Sequence, residues 1–173
     1  MNDYDESMLH FLDPALLKEK LAFFAIFIAI YENFKYTIVE HVKWYYCNGF
    51  QDGKFTFDGY EREILSKVSS RKNRKIQATL LWLEQVGAIN SDDRRFFRKI
   101  TNLRNSLAHD MAQQLLSPLE QELVDQCLGM LALFKKIEQW WIIQVELPTD
   151  PDFPFEPDEG VEPEMANSLS VEF

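Results

Sequence analysis

The sequence predicts an all-α protein, an antiparallel four- to five-helix bundle followed by an acidic, Pro-containing C-terminal tail. Three observations predict it. Apolar residues recur at helical spacing through several long stretches, as helices with a buried face require. Helix starts and stops punctuate those stretches in register. An alternating strand pattern is confined to the short Lys54–Phe57 segment. The chain has 173 residues, 46% of them apolar and fourteen of them Phe, which is enough to bury a core and is not the composition of a disordered chain.

Residues 1–12 read as a flexible arm, and 13–147 as the bundle. Asp13 followed by Pro14 is a cap and a first-turn proline, so the first helix starts there and runs to about Cys47. It is apolar on more than one face, which predicts a central position. Its apolar run from Leu21 to Tyr31 is eleven residues, too short to span a bilayer, and Lys18, Lys20 and Glu32 flank it. Gly49, Gly53 and Gly59 mark a loop. Asp58 with Glu61 has the spacing of a capping box, so a helix is expected from about Gly59, with a bend or break at Ser69-Ser70 or Asn73. A further helix is expected from Arg74 to Val86, stopped by Gly87. Ser91 is read as the cap of the next helix, with Asp92 and Asp93 at its positive end and Phe96, Ile100, Leu103 and Leu107 on one face. Ser117-Pro118-Leu119-Glu120 starts the last helix, which is expected to end near Glu146, before Pro148.

Residues 148–173 hold eight acidic residues and no Lys or Arg, and are expected to stay extended or disordered. The two cysteines, Cys47 and Cys127, lack metal-site spacing and read as small core residues of a reduced, cytoplasmic protein. Met1 to Glu6 is acidic where a signal peptide would be basic. No phosphate-binding glycine loop, metal-ligand spacing or cofactor motif is present, so no cofactor and no membrane association are expected.

Charge is unevenly distributed within the net −10. Residues 1–60 carry −4, residues 61–112 carry +5 and residues 113–173 carry −11. A positive segment in an acidic chain is either a polyanion site or a solvated helix face. That segment contains Arg104-Asn105-Ser106-Leu107-Ala108-His109, followed by Asp110. Arg104 offers a permanent charge and a planar fork of donors suited to phosphate. His109 can accept or donate a proton near neutral pH. Asn105 adds an amide next to the cation. His10 lies in the arm, and His41 reads as a structural histidine of the first helix.

The stretch from Leu80 to Asp110 resembles the HEPN superfamily of helical domains, whose motif is Arg, a polar residue, a short spacer and His. The resemblance extends over about residues 15 to 146. It implies a metal-independent endoribonuclease, a toxin or host-defence component, that cleaves RNA by 2′-hydroxyl attack and leaves a cyclic phosphate. It assigns Arg104 to the phosphate, Asn105 to orienting the pair or donating to a phosphate oxygen, and His109 to acid–base work. It implies a homodimer and a protein antitoxin or regulatory partner. Family members paired with a nucleotidyltransferase carry a Tyr two residues after the His; Met111 stands there, which argues against control by adenylation. The helix–Gly–turn–helix pattern also resembles the mannitol-repressor-like family, which implies a non-catalytic regulatory or interaction protein.

Residues five apart on a continuous helix lie about 140° apart around its axis. Arg104 and His109 therefore form a compact site only if the helix ends near Leu107 or if two copies of the motif meet. The competing structural reading pairs Arg104 with Asp110 or with acids of a neighbouring helix, and leaves His109 to close the helix end.

Overall fold

The computed structural model describes residues 13–69, 73–116 and 121–150. Helix α1 (Pro14–Tyr45) starts where Asp13 accepts a hydrogen bond from the Ala15 amide at 2.9 Å. Its buried side chains, Lys20, Phe24, Phe27, Tyr31, Phe34, Ile38 and Val42 among them, recur in steps of three and four and form one stripe. Apolar residues also lie outside that stripe, and Ile26 and Tyr36 face outward. Helices α3 (Arg74–Gln85), α4 (Ser91–His109) and α6 (Gln121–Trp141) pack along α1, and α4 also packs on α3 and α6.

Between α1 and α3 the chain departs from a plain loop. Strands β1 (Gly49–Gln51) and β2 (Lys54–Thr56) pair antiparallel, with Phe50 opposite Phe55. Asp52 and Gly53 both take positive φ at the turn, the left-handed backbone that a two-residue hairpin needs. Trp44 of α1 meets Phe55 and Phe57 edge-on and anchors the hairpin. Helix α2 (Asp58–Glu63) follows, but Asp58 is its first residue, Phe57 precedes it as cap, and no side-chain capping bond forms. A 3-10 turn (Leu65–Lys67) comes before the expected bend, and the break before Arg74 lies where Asn73 predicts one. The Arg74 guanidinium donates to the Leu65 and Val68 carbonyls and ties the break to α3.

Gly87 ends α3 at φ 81°. Asn90, not Ser91, caps α4. Its side chain accepts from the amides of Asp92 and Asp93, and the Asp93 carboxylate accepts from the Asn90 amide, all at 2.9 Å. Phe97, Ile100 and Leu107 are the buried residues of α4, whereas Phe96 and Leu103 are half-buried. A short α5 (Met111–Leu116), which the sequence did not announce, returns to α1: the buried Lys20 donates from Nζ to the Leu115 carbonyl at 2.9 Å. Past Trp141 the helix widens into a π turn (Ile142–Glu146), then a last turn (Leu147–Thr149) carries Pro148 in its first positions. The helical path thus passes Pro148, and Leu147 is buried.

Cys127 is buried and Cys47 only half-buried. The expected arm, the Ser117–Glu120 helix start and residues 151–173 of the acidic tail lie outside the described residues. The described chain is mainly all-α, and among its residues no helix is long and apolar enough to cross a membrane.

Candidate functional site

Helix α4 carries all three motif residues, and it is unbroken through them. The Asp110 amide donates to the Ser106 carbonyl at 2.8 Å, so the helix closes only after His109. The compact single-chain arrangement, which needed an end near Leu107, is therefore absent. Among the described residues, neither a hydrogen bond nor an ion pair joins Arg104 to His109.

Arg104 points along the α4–α1 contact. Its Nη2 lies 2.5 Å from Glu32 Oε1, and its guanidinium carbon sits 5.9 Å from the Tyr31 ring centre. Nη1 donates to Asn105 Oδ1 at 3.4 Å, and Nε is buried without a partner. Tyr31 is fixed in turn, because its hydroxyl donates to Thr101 Oγ1 at 3.1 Å and Thr101 donates to the Phe97 carbonyl. Glu32 also accepts from Lys35 at 2.8 Å. Partial burial raises the Glu32 pKa, but Lys35 and Arg104 outweigh it and hold the carboxyl below its ordinary value. The Arg104 side chain is 28% exposed. One edge of the guanidinium is thus held by the protein while the group still reaches solvent.

Asn105 and His109 are exposed. Asp110 engages Ser106, whose hydroxyl lies 3.5 Å from Oδ2, and not Arg104. The acid that answers Arg104 comes from a neighbouring helix, as one form of the structural reading expects. Sequence reasoning did not single out Glu32 or Tyr31. The signal was a carboxylate set directly after the apolar run of α1, where an ion needs a partner.

Four of the five Lys and Arg side chains of α4 are paired with carboxylates. On α4, Arg94 pairs with Glu84 at 2.8 Å, Arg95 with Asp92, Lys99 with Glu122 at 2.9 Å, and Arg104 with Glu32. Of the cations on α4, Arg98 alone has no carboxylate partner among the described residues. Lys136 of α6 reaches Asp93 at 2.6 Å and fixes the start of α4.

His41 is stacked on Trp141 with ring centres 4.8 Å apart, and its Nδ1 is 3.6 Å from Glu138 Oε1, too long for a hydrogen bond. Both atoms are buried and unpartnered, so His41 is not the satisfied structural histidine of the sequence reading. Burial, with Glu146 nearby, lifts the Glu138 carboxyl to about 7, and burial lowers His41. Both groups favour their neutral forms. Among the described residues no cluster of three or more His, Cys, Asp or Glu suits a metal ion.

No family model, curated protein or solved structure matches this chain.

Proposed function

We propose that the chain is a HEPN-type endoribonuclease, built on an antiparallel four- to five-helix bundle, whose site is completed by a second copy. The observation that carries this reading is the disposition of α4. Asn105 and His109 are open to solvent, Arg104 is held in place by Glu32 and Tyr31, and the unbroken helix keeps Arg104 and His109 about 140° apart. Two copies related by a two-fold axis would bring the Arg104 of one beside the His109 of the other, and isologous pairing is the common way to build such a cleft.

The chemistry needs no metal. His109 removes the proton of the ribose 2′-hydroxyl, whose oxygen attacks the adjacent phosphorus. Arg104 stabilises the charge that grows on the phosphoryl oxygens. The bond from phosphorus to the 5′-oxygen breaks and the protonated His109 returns its proton to that oxygen, giving a cyclic phosphate, a 5′-hydroxyl and a neutral imidazole. Asn105 orients Arg104 through its amide oxygen. The wider role proposed is that of a cytoplasmic toxin or host-defence protein, with a protein antitoxin or regulator as its control.

One observation favours a second reading. Glu32 already answers the charge of Arg104 within the chain, which suits a non-catalytic HEPN or mannitol-repressor-like interaction protein. Cleavage of RNA in the presence of a chelator separates the two. Wild type should cleave, while Arg104→Ala and His109→Ala should fold and not cleave. Equal activity in all three proteins, or none in the wild type, refutes the nuclease reading. Light scattering at high micromolar concentration should give a dimer, and a monomer there would count against the shared site.

A further inference from the structure

A groove of about 630 Å³ lies between α3, the turn that precedes it and α4. Lys67, Arg94 and Arg98 line it, and among the described residues no carboxylate does. Glu84 answers Arg94 at 2.8 Å, which leaves Lys67 and Arg98 as two cations without a carboxylate partner among the described residues, a local excess of positive charge in a chain of net charge −10. Gln77, Thr101 and Asn102 add neutral donors and acceptors along its wall, and its floor is apolar. Arg98 is exposed and has no carboxylate partner among the described residues.

The wall of this groove continues toward the motif. Arg94, Arg98, Asn102, Asn105 and His109 follow one another on α4 at steps of four, four, three and four. At 100° per residue these five occupy an arc of about 80°. The same face therefore carries two cations at one end, amides along the middle and the imidazole at the other. From Arg98 to His109 the helix rises about 16 Å. A ligand that reads this face is long, anionic and repetitive in charge, and carries groups that pair with amides.

We infer that the α3–α4 groove holds the sugar–phosphate strand of single-stranded RNA and leads it along α4 to His109. Lys67 and Arg98 take phosphates, the amides of Gln77 and Asn102 meet riboses or base edges, and the apolar floor receives the face of a base. This inference rests on the RNA reading above but assigns residues that the motif does not contain. It also gives the motif a direction, because the strand enters from the Arg98 end.

The test is binding of a short fluorescein-labelled single-stranded RNA to the full chain carrying His109→Ala, so that the strand is not cut. Adding Arg98→Ala or Lys67→Ala should weaken binding about five- to tenfold at low salt, and each should lower the slope of log affinity against log salt by about 0.7, the signature of one lost phosphate contact on a single strand. Thermal unfolding of each variant checks that these surface changes leave the fold intact, and Arg98→Lys should restore most of the affinity. Unchanged affinity and slope in both variants overturn the groove, as does a poly-glutamate peptide that binds as well as RNA with the same dependence on Arg98. Cleavage by the wild type is scored separately. Cleavage that needs His109 but ignores Arg98 and Lys67 defeats the groove alone. Binding that depends on Arg98 without any cleavage by the wild type defeats the nuclease alone.

Discussion

Removing Glu32 should loosen the element that holds Arg104. The pair is close, 2.5 Å, and lies where α1 meets α4, with side chains 28% and 38% exposed. Fully exposed pairs contribute roughly 0.2–1 kcal/mol, and breaking a buried pair costs roughly 3–5 kcal/mol. Solvent screening places this one near the lower range, so Glu32→Ala should cost about 1 kcal/mol, or a fall in Tm of roughly 3–5 °C for a domain of this size. Lys35 loses a partner as well, so a single variant overstates the Arg104 share. A double-mutant cycle with Arg104→Met, read by urea unfolding, isolates it, and the coupling should be about 0.5–1 kcal/mol. The sign with pH follows from the lowered Glu32 pKa. Its stabilisation is present above the unfolded value, about 4.3, and is lost as pH falls through the folded one. The advantage of wild type over Glu32→Gln should therefore shrink from pH 7 to pH 3. Coupling below about 0.2 kcal/mol, or an advantage that grows with acid, would refute the claim that Glu32 positions Arg104.

Three further outcomes are expected. Glu138→Gln should stabilise the protein at pH 8 by roughly 2 kcal/mol more than at pH 5, because a carboxyl lifted to about 7 costs stability as pH rises from its unfolded value through 7; equal shifts in Tm at the two pH values would contradict it. Asn90→Ala removes both hydrogen bonds that its side chain accepts at the start of α4 and should cost about 1 kcal/mol in urea unfolding, against no change if the cap is immaterial. Truncation after Asp150 removes seven carboxylates and no Lys or Arg while keeping the buried Leu147; it should raise RNA affinity at low salt and not at high salt, and equal affinities at low salt would leave the tail without an inhibitory role.

Much of the helical layout was legible because its signals are local. Asp13-Pro14, Gly87 and the break before Arg74 act through backbone geometry within one or two residues, and each lies where the chain changes course. Asn90 and Ser91 are both good caps, and only the reciprocal bond with Asp93 decides between them. The hairpin was written in Asp52-Gly53, but three-residue strands are too short to show alternation. Helix α5 is joined to α1 by Lys20, which reaches the Leu115 carbonyl from far away in sequence. The composition of α1 suggested a central helix, and α3, α4, α5 and α6 do pack against it, along one buried stripe. Arg104 and His109 could be picked out by residue chemistry, and the helix period already separated them. Glu32 and Tyr31 could not be assigned to Arg104, because that contact exists only once α1 and α4 pack together.

The most direct test of the shared site is complementation between dead variants. Arg104→Ala and His109→Ala protein, each inactive alone, are unfolded together in urea and refolded as a mixture, then assayed for RNA cleavage with a chelator present. If each site takes Arg104 from one copy and His109 from the other, roughly half the dimers are mixed and each mixed dimer keeps one intact site, so activity should return to about a quarter of wild type. A refolded mixture that forms dimers and stays inactive, beside a wild type that cleaves, would contradict a site built from one Arg104 and the opposite His109.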